Sequence, residues 1–372
     1  MKTFKILALL MFCNLLVMAA PDRKKGEEVK VPYQNGPVYA LPATGIRVYV
    51  DAVYEEFIPG PYQKYAEELL QITNTKKKSF ASWKIKTIRF GSFVTADAAE
   101  YHQVKSENMT HLSVNSYGII KGINGEFEDQ ITPIPCSQND FMTIEPSSFS
   151  WNDLSIQEFV QVNDSLPEQW VKLSEKQKAY DAAHTITKLR KRRFHMLSSE
   201  YETVPPDGDA YKVVVDQLKK IENRYTELFT GKHIKRTRSF VFDVVPGNSA
   251  IVAFRFDSQK GVVPTSDLSG KPMMLSVTAN AQMKSSLKKQ SGASSVSPEG
   301  LYYRMPCLSE IVLMDGTKVI ATSKMMIAQQ GVRFPLSPNF CVKENKYEIT
   351  YNQNTGALNS VKQLVPLKVE ED

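Results

Sequence analysis

Recognisable catalytic signatures are what this sequence lacks most. It contains no HExxH, no CxxC, no GxxxxGK[ST] phosphate loop and no GxGxxG fingerprint, so zincin, dithiol, P-loop and dinucleotide chemistries have no motif to rest on. Histidine is scarce, five in 372 residues. His102 and His111 flank QVKSENMT with no cysteine or further histidine at ligand spacing. His184 and His195 share a predicted helix, but eleven residues separate them by about 16 Å, too far to share one ion. His233 follows a predicted helix end, where a cation offsets the terminal dipole. No cofactor or metal is expected.

Nucleophiles fare no better. GNSAI, residues 247–251, has Gly-x-Ser without the closing glycine of a nucleophile elbow and reads as a turn. Ser285 with Lys288, and Ser286 with Lys289, match Ser-x-x-Lys, yet they lie in residues 283–300, a serine-, glycine- and lysine-rich stretch expected to be a mobile loop without a rigid supporting shell. Acidic pairs such as Glu55 with Glu56 do not reveal whether two carboxylates face each other across a cleft.

Long apolar runs are confined to the start. MKTFKILALLMFCNLLVMAAPDRKK joins a basic beginning, Lys2 and Lys5, to an apolar run at residues 6–18 and then small residues. That run is shorter than the roughly 20 residues a bilayer needs, so residues 1–19 read as a signal peptide cut after Ala19. Cys13 follows Phe12 inside the run, which argues against a lipoprotein. The expected location is periplasmic or secreted, with no transmembrane segment in the mature chain.

Charge of one sign is also modest. Losing Lys2 and Lys5 takes 46 basic residues to 44 against 40 acidic, and the formal charge from +6 to +4. Such an excess does not predict nucleic-acid binding. Of four cysteines, Cys136, Cys307 and Cys341 would remain, enough for one internal pair. Cys307 with Cys341 is the candidate disulfide, because both fall in one predicted domain; a buried free thiol is the simpler reading.

What is present is β pattern, interrupted by one short helix and by a helical hairpin. Residues 36–135 predict an N-terminal mixed β domain with one short helix. Ile46, Val48 and Val50 alternate with Arg47, Tyr49 and Asp51; Tyr65, Leu69 and Ile72 then recur at helical spacing behind Pro61, and a second strand starts at Trp83. Residues 136–173 read as a loop-rich connector. Residues 174–231 predict a helical hairpin: Ser174 with Gln177 forms a capping box, Val214, Leu218, Ile221, Tyr225 and Leu228 mark the second helix, and Gly231 ends it. Residues 232–366 predict a C-terminal antiparallel β domain. Its hairpin signals are Asp315 with Gly316, and the turn from Asn354 to Gly356. The expected class is α+β: β-rich N-terminal and C-terminal domains of mainly antiparallel sheet, with a long antiparallel helical hairpin between them.

Three separated stretches carry a resemblance: YALPATGIRVYVDAVYEEFIPGPYQKYAEELLQI; LRKRRFHMLSSEYETVPPDGDAY with YTELFTG; and GLYYRMPCLSEIVLMDGTKVIATSKMMIAQQG. Together they resemble an exported Bacteroidetes family catalogued as a domain of unknown function, family 4831, over about residues 39–340. The resemblance implies a bacterial envelope or secreted setting and transfers no catalytic or binding residue.

The residue-level candidates are therefore few. Lys188, Arg190, Lys191, Arg192 and Arg193 are the densest charge and a candidate partner contact, read first as a solvated helix face. In the stretch beginning YYRMPC, Tyr302, Arg304, Gln329 and Gln330 retain polar capacity to satisfy backbone, close a domain interface or line a groove. Trp83, Trp151 and Trp170 are core or domain-interface residues, or line a sugar or peptide groove. Asp164, Ser165 and Leu166 form a candidate O-glycosylation triplet at Ser165. The function expected is a noncatalytic envelope binding or scaffolding module, with an envelope protein or glycan as partner. A hydrolase acting on envelope polysaccharide or peptide is the alternative.

Overall fold

The computed structural model describes residues 36–104, 111–131, 139–141, 144, 149, 151, 159–161, 170–198, 208–291, 301–337, 340 and 347–364. Its strands are β1 (Val38–Ile58), β2 (Phe80–Gln103), β3 (Leu112–Val114), β4 (Ile120–Ile123), β5 (Phe159–Gln161), β6 (Trp170–Lys172), β7 (Lys232–Val244), β8 (Ile251–Asp257), β9 (Gly261–Val263), β10 (Lys271–Ala279), β11 (Tyr302–Asp315), β12 (Lys318–Pro335), β13 (Tyr347–Tyr351) and β14 (Leu358–Gln363). The helices are α1 (Ala66–Leu70), entered through a 3-10 turn at Gln63–Tyr65, α2 (Glu175–Leu197), α3 (Asp209–Thr230) and α4 (Ala281–Gln290). None of them is long and apolar enough to cross a membrane.

The 21 residues of β1 are the spine. From Tyr39 to Gly45 it is buried on both faces, and from Ile46 onward burial alternates, so a single strand serves two cores. One sheet has the order β2-β1-β7, a second β12-β11-β10-β8-β9, and a third β14-β13-β4-β3; all their ladders are antiparallel. The first two sheets pack face to face, burying Ile46, Val48 and Val50 of β1 against Phe254, Leu275 and Ile311. Inward and outward positions alternate along β1 as such packing requires. Tyr39 and Leu41, at the start of β1, instead join Ile120, Ile349 and Tyr351 in a second core under the third sheet.

The expected division at residues 135 and 232 is therefore not a division between sheets. β1 needs a partner on each edge, and only β7, which follows the helical hairpin, supplies the second. Likewise β3 and β4 share the third sheet with β13 and β14. The helical hairpin is an excursion between two strands of one sheet assembly.

Helix α2 begins where Ser174 accepts a hydrogen bond at Oγ from the Gln177 backbone N–H at 3.2 Å. The reciprocal half of the capping box is replaced: Gln177 Nε2 donates to Asp181 Oδ1, 3.2 Å away on the next turn. α3 ends at Gly231, whose φ of 84° is open to glycine. An added Cβ there would also lie 2.4 Å from the Phe57 ring. Antiparallel pairing of the two helices follows from two contacts, the Tyr211 hydroxyl donating to the Met196 carbonyl and Arg190 Nε meeting Glu222 Oε1 at 2.9 Å. Their base is docked on the 3-10 turn and α1 through Ala179, Ala182, Ile186, Leu228, Phe229 and Tyr62.

Two other expectations change. Residues 281–290 are helix α4, although 283–300 reads as a loop: Asn280 caps it, accepting from the Met283 N–H at 2.9 Å, and Leu287 is buried. One apolar anchor and a cap suffice where composition argues for a loop. The connector at 136–173 also contains a short paired ladder of β5 and β6.

Candidate functional site

Two prolines within strands organise the junction of the three sheets. Proline brings no N–H to a ladder, so pairing beside it is disrupted. In the first sheet Ala40 faces Tyr101 while Pro42 faces Ala96, leaving residues 97–100 of β2 opposite Leu41 alone. In the second, Met305 faces Val332 while Cys307 faces Ile327, leaving residues 328–331 of β12 opposite Pro306 alone. Each bulge carries polar side chains across to the neighbouring sheet.

The first bulge supplies Asp97 and Glu100, which receive Arg304 of β11. Arg304 Nη1 donates to Asp97 Oδ2 at 2.8 Å and to the Pro42 carbonyl at 2.9 Å, while Nη2 lies 3.5 Å from Glu100 Oε1. The Arg304 backbone N–H donates to the Gly356 carbonyl in the β13–β14 turn at 3.0 Å, so one residue touches all three sheets. Glu100 Oε2 also accepts from His102 Nε2 at 2.9 Å and from Arg333 Nη1 at 3.2 Å. The hydrogen bond from His102, with the charges of Arg333 and Arg304, holds the Glu100 carboxyl down to about 2 against the opposing effect of burial. It is an ionised acceptor at neutral pH and cannot serve there as a general acid.

Aromatic rings close this cluster. The His102 ring lies 5.5 Å from that of Tyr39 and 5.0 Å from that of Tyr302. The Tyr39 hydroxyl accepts from the Tyr302 N–H at 2.7 Å and donates to the Tyr302 carbonyl at 3.2 Å. Burial pushes the Tyr39 phenol well above its ordinary value.

The second bulge supplies Gln329 and Gln330. Gln329 accepts at Oε1 from the Thr44 N–H at 2.8 Å and donates from Nε2 to the carbonyls of Thr44 at 2.9 Å and Pro246 at 3.1 Å. Gln330 Nε2 donates to the Gly247 carbonyl at 3.2 Å. Tyr302, Arg304, Gln329 and Gln330 thus hold backbone and ion pairs at the sheet junction.

The basic run divides in two. Arg190 and Arg193 both meet Glu222, a buried carboxylate of α3, at 2.9 and 2.5 Å, whereas Lys188, Lys191 and Arg192 are exposed. Beyond Ile186 this face of α2 turns charged, and the apolar stripe of α3 loses its cover. Val214 and Ile221 are exposed and Leu218 is half-buried, while Phe194 and Leu197 of α2 are 63% and 60% exposed.

A third feature lies on the outer face of the β2-β1-β7 sheet. Val53, Glu55, Lys84, Lys86, Lys235 and Thr237 surround an open groove of about 330 Å³. Glu55 bridges Lys84 at 2.7 Å and Lys235 at 3.1 Å. The lysines, Lys84 first, hold the Glu55 carboxyl down to about 2.

The remaining candidates are placed as follows. Cys307 carries a free, buried thiol, with Sγ 3.6 Å from the Asn280 carbonyl. Its candidate partner Cys341 lies outside the described residues, as do Cys136 and Ser165. Trp83 is buried against Tyr54 and the backbone at Gly261, and Trp151 is half-buried in the helical core. Ser285 and Ser286 sit on exposed positions of α4, where the Ser286 hydroxyl donates to the Gln282 carbonyl. Among the described residues no group of three or more His, Cys, Asp or Glu is placed to hold a metal ion.

The family model described as "Domain of unknown function (DUF4831)" matches residues 35–359. The chain belongs to the DUF4831 family. No curated protein and no solved structure matches it. In this DUF4831 chain, sequence reasoning reached Arg304 but missed Asp97, Glu100, His102 and Arg333 around it. The available signal was Pro42 and Pro306, each inside an otherwise strand-like run.

Proposed function

We propose that this DUF4831 protein is a noncatalytic binding or scaffolding module, exported to the periplasm or beyond, that engages an acidic protein surface through the distal half of its helical hairpin. The observation that carries this reading is the stripe Val214, Leu218 and Ile221, which continues past the point where α2 stops covering it. Exposed Phe194 and Leu197 extend the apolar area, and Lys188, Lys191, Arg192, Lys219 and Lys220 rim it with positive charge. An apolar centre with a charged rim is the anatomy of a protein contact, and the sign of the rim favours an acidic partner. By contrast, Asp97 and Glu100 are both engaged with Arg304, whereas a hydrolytic pair must present its carboxylates to substrate and water.

The test is mild cross-linking of the tagged mature chain in its native envelope, followed by purification, with Ile221→Asp and Lys191→Glu as comparisons. The reading expects a stoichiometric acidic protein that both changes remove. Recovery of the chain alone, or of a partner indifferent to both changes, overturns it and brings a hydrolase acting on envelope polymer forward.

A further inference from the structure

The groove on the outer sheet face is independent of the hairpin, and its construction is specific. At the register shift between Asp51 and Ala52 of β1, Thr87 of β2 faces Asp51 and Ile85 faces Ala52, so Lys86 is the extra residue of a bulge. Bulges re-aim side chains; this one leaves both Lys86 and Thr87 exposed in succession. Lys86 has no ion-pair partner among the described residues. Beside it, Glu55 draws Lys84 and Lys235 together from the two flanking strands, so two ammonium groups share one carboxylate while Lys86, lining the same groove, adds an uncommitted positive charge.

We propose that this groove binds a linear acidic oligosaccharide, with Lys86 as the principal contact to its carboxylate or sulfate groups and Lys84 and Lys235 as flanking contacts. The groove is open, which suits an extended chain rather than an enclosed small molecule. It lies across the middle of the sheet, where β1 is paired on both edges. A peptide could not add there as a strand, because the backbone groups are already used. Recognition must therefore come from side chains: Val53 offers an apolar patch to a sugar ring, the Thr237 hydroxyl a hydrogen bond, and the lysines the anion contacts. Glu55 acts as a positioning residue for the two outer lysines.

The experiment is calorimetric titration of the full mature chain with a sulfated, uronate-containing hexasaccharide, with its neutral desulfated and carboxyl-reduced counterpart, and with inorganic sulfate. Lys86→Ala and the hairpin variant Lys191→Ala are titrated in parallel. The proposal expects binding of the acidic hexasaccharide alone, weakened by salt, reduced roughly tenfold by Lys86→Ala and unchanged by Lys191→Ala. Equal binding of the neutral sugar, indifference to Lys86→Ala, or loss in Lys191→Ala overturns the assignment. Saturation by inorganic sulfate at similar concentrations overturns the oligosaccharide and leaves a simple anion site. The hairpin reading stands or falls separately, since Ile221→Asp does not touch this face.

Discussion

Asn139 treats Val241 as a neighbouring strand would: its Oδ1 accepts from the Val241 N–H and its Nδ2 donates to the Val241 carbonyl, both at 2.7 Å. Val241 lies on β7, at the edge of the β2-β1-β7 sheet. An exposed edge is a template for association with other chains. Phe141 continues the cover by stacking on Phe240, with ring centroids 5.9 Å apart. Asn139→Ala should cost about 1–2 kcal/mol for two lost hydrogen bonds and, more tellingly, raise concentration-dependent association. Urea denaturation with light scattering reads both. Unchanged association would mean that the edge is guarded otherwise.

Arg304→Met should be costly out of proportion to its volume. It takes the guanidinium from Asp97, Glu100 and the Pro42 carbonyl at once, leaving Glu100 to His102 and Arg333. Removing one partner of a buried ion pair costs about 3–5 kcal/mol, and the partial exposure of both carboxylates lowers the expectation to about 2–3. Arg304→Lys should recover little, since one ammonium cannot reach three acceptors as a planar fork does. Equilibrium unfolding of the two variants tests this, and near wild-type stability for Met would refute it.

Acid should act through Glu100. Its folded value, about 2, lies below the ordinary 4.5, so between these limits the unfolded state binds more protons. The stabilisation is complete above about pH 4.5 and is lost as pH falls towards 2. Discounted for partial exposure, it amounts to about 1–2 kcal/mol. Glu55 titrates over the same range, so the readable quantity is the difference between wild type and Glu100→Gln. That difference should shrink from pH 5 to pH 2.5 in urea midpoints.

Two glycines separate steric from conformational demand. A Cβ on Gly331 would lie 1.9 Å from the Met305 carbonyl oxygen, so Gly331→Ala must push two strands apart at the Pro306 bulge. About 3 kcal/mol or more is expected. Gly118 has φ +76° but open space around it, and Gly118→Ala should cost only about 1–2 kcal/mol of backbone strain. Thermal unfolding should rank the two in that order.

Local signals in the sequence were accurate where structure is local. The Ser174 cap, the Gly231 stop and the hairpins near Gly316 and Gly356 depend on a few consecutive residues, and each lies where its chemistry requires. Helix α4 escaped because its hold on the fold is mainly Leu287. The junction site escaped for another reason: Asp97 and Arg304 are separated by 207 residues. A proline in a strand announces that pairing is disrupted, but not how many residues its partner strand extrudes or whose charge they meet. The groove at Lys86 depends on a one-residue shift between β1 and β2 that no periodicity reveals.

The place of β1 also sets a timetable. Its 21 residues extend about 70 Å, at roughly 3.3 Å each, and they precede every partner in the chain. β2 arrives soon, but β7 comes only after both long helices, and the strands that complete the core over Tyr39 come last. Contacts so distant in sequence make for slow folding. Until they form, this long, largely apolar strand has an open flank, so an emerging chain needs either a holding partner or a rapid β1–β2 hairpin to survive the wait.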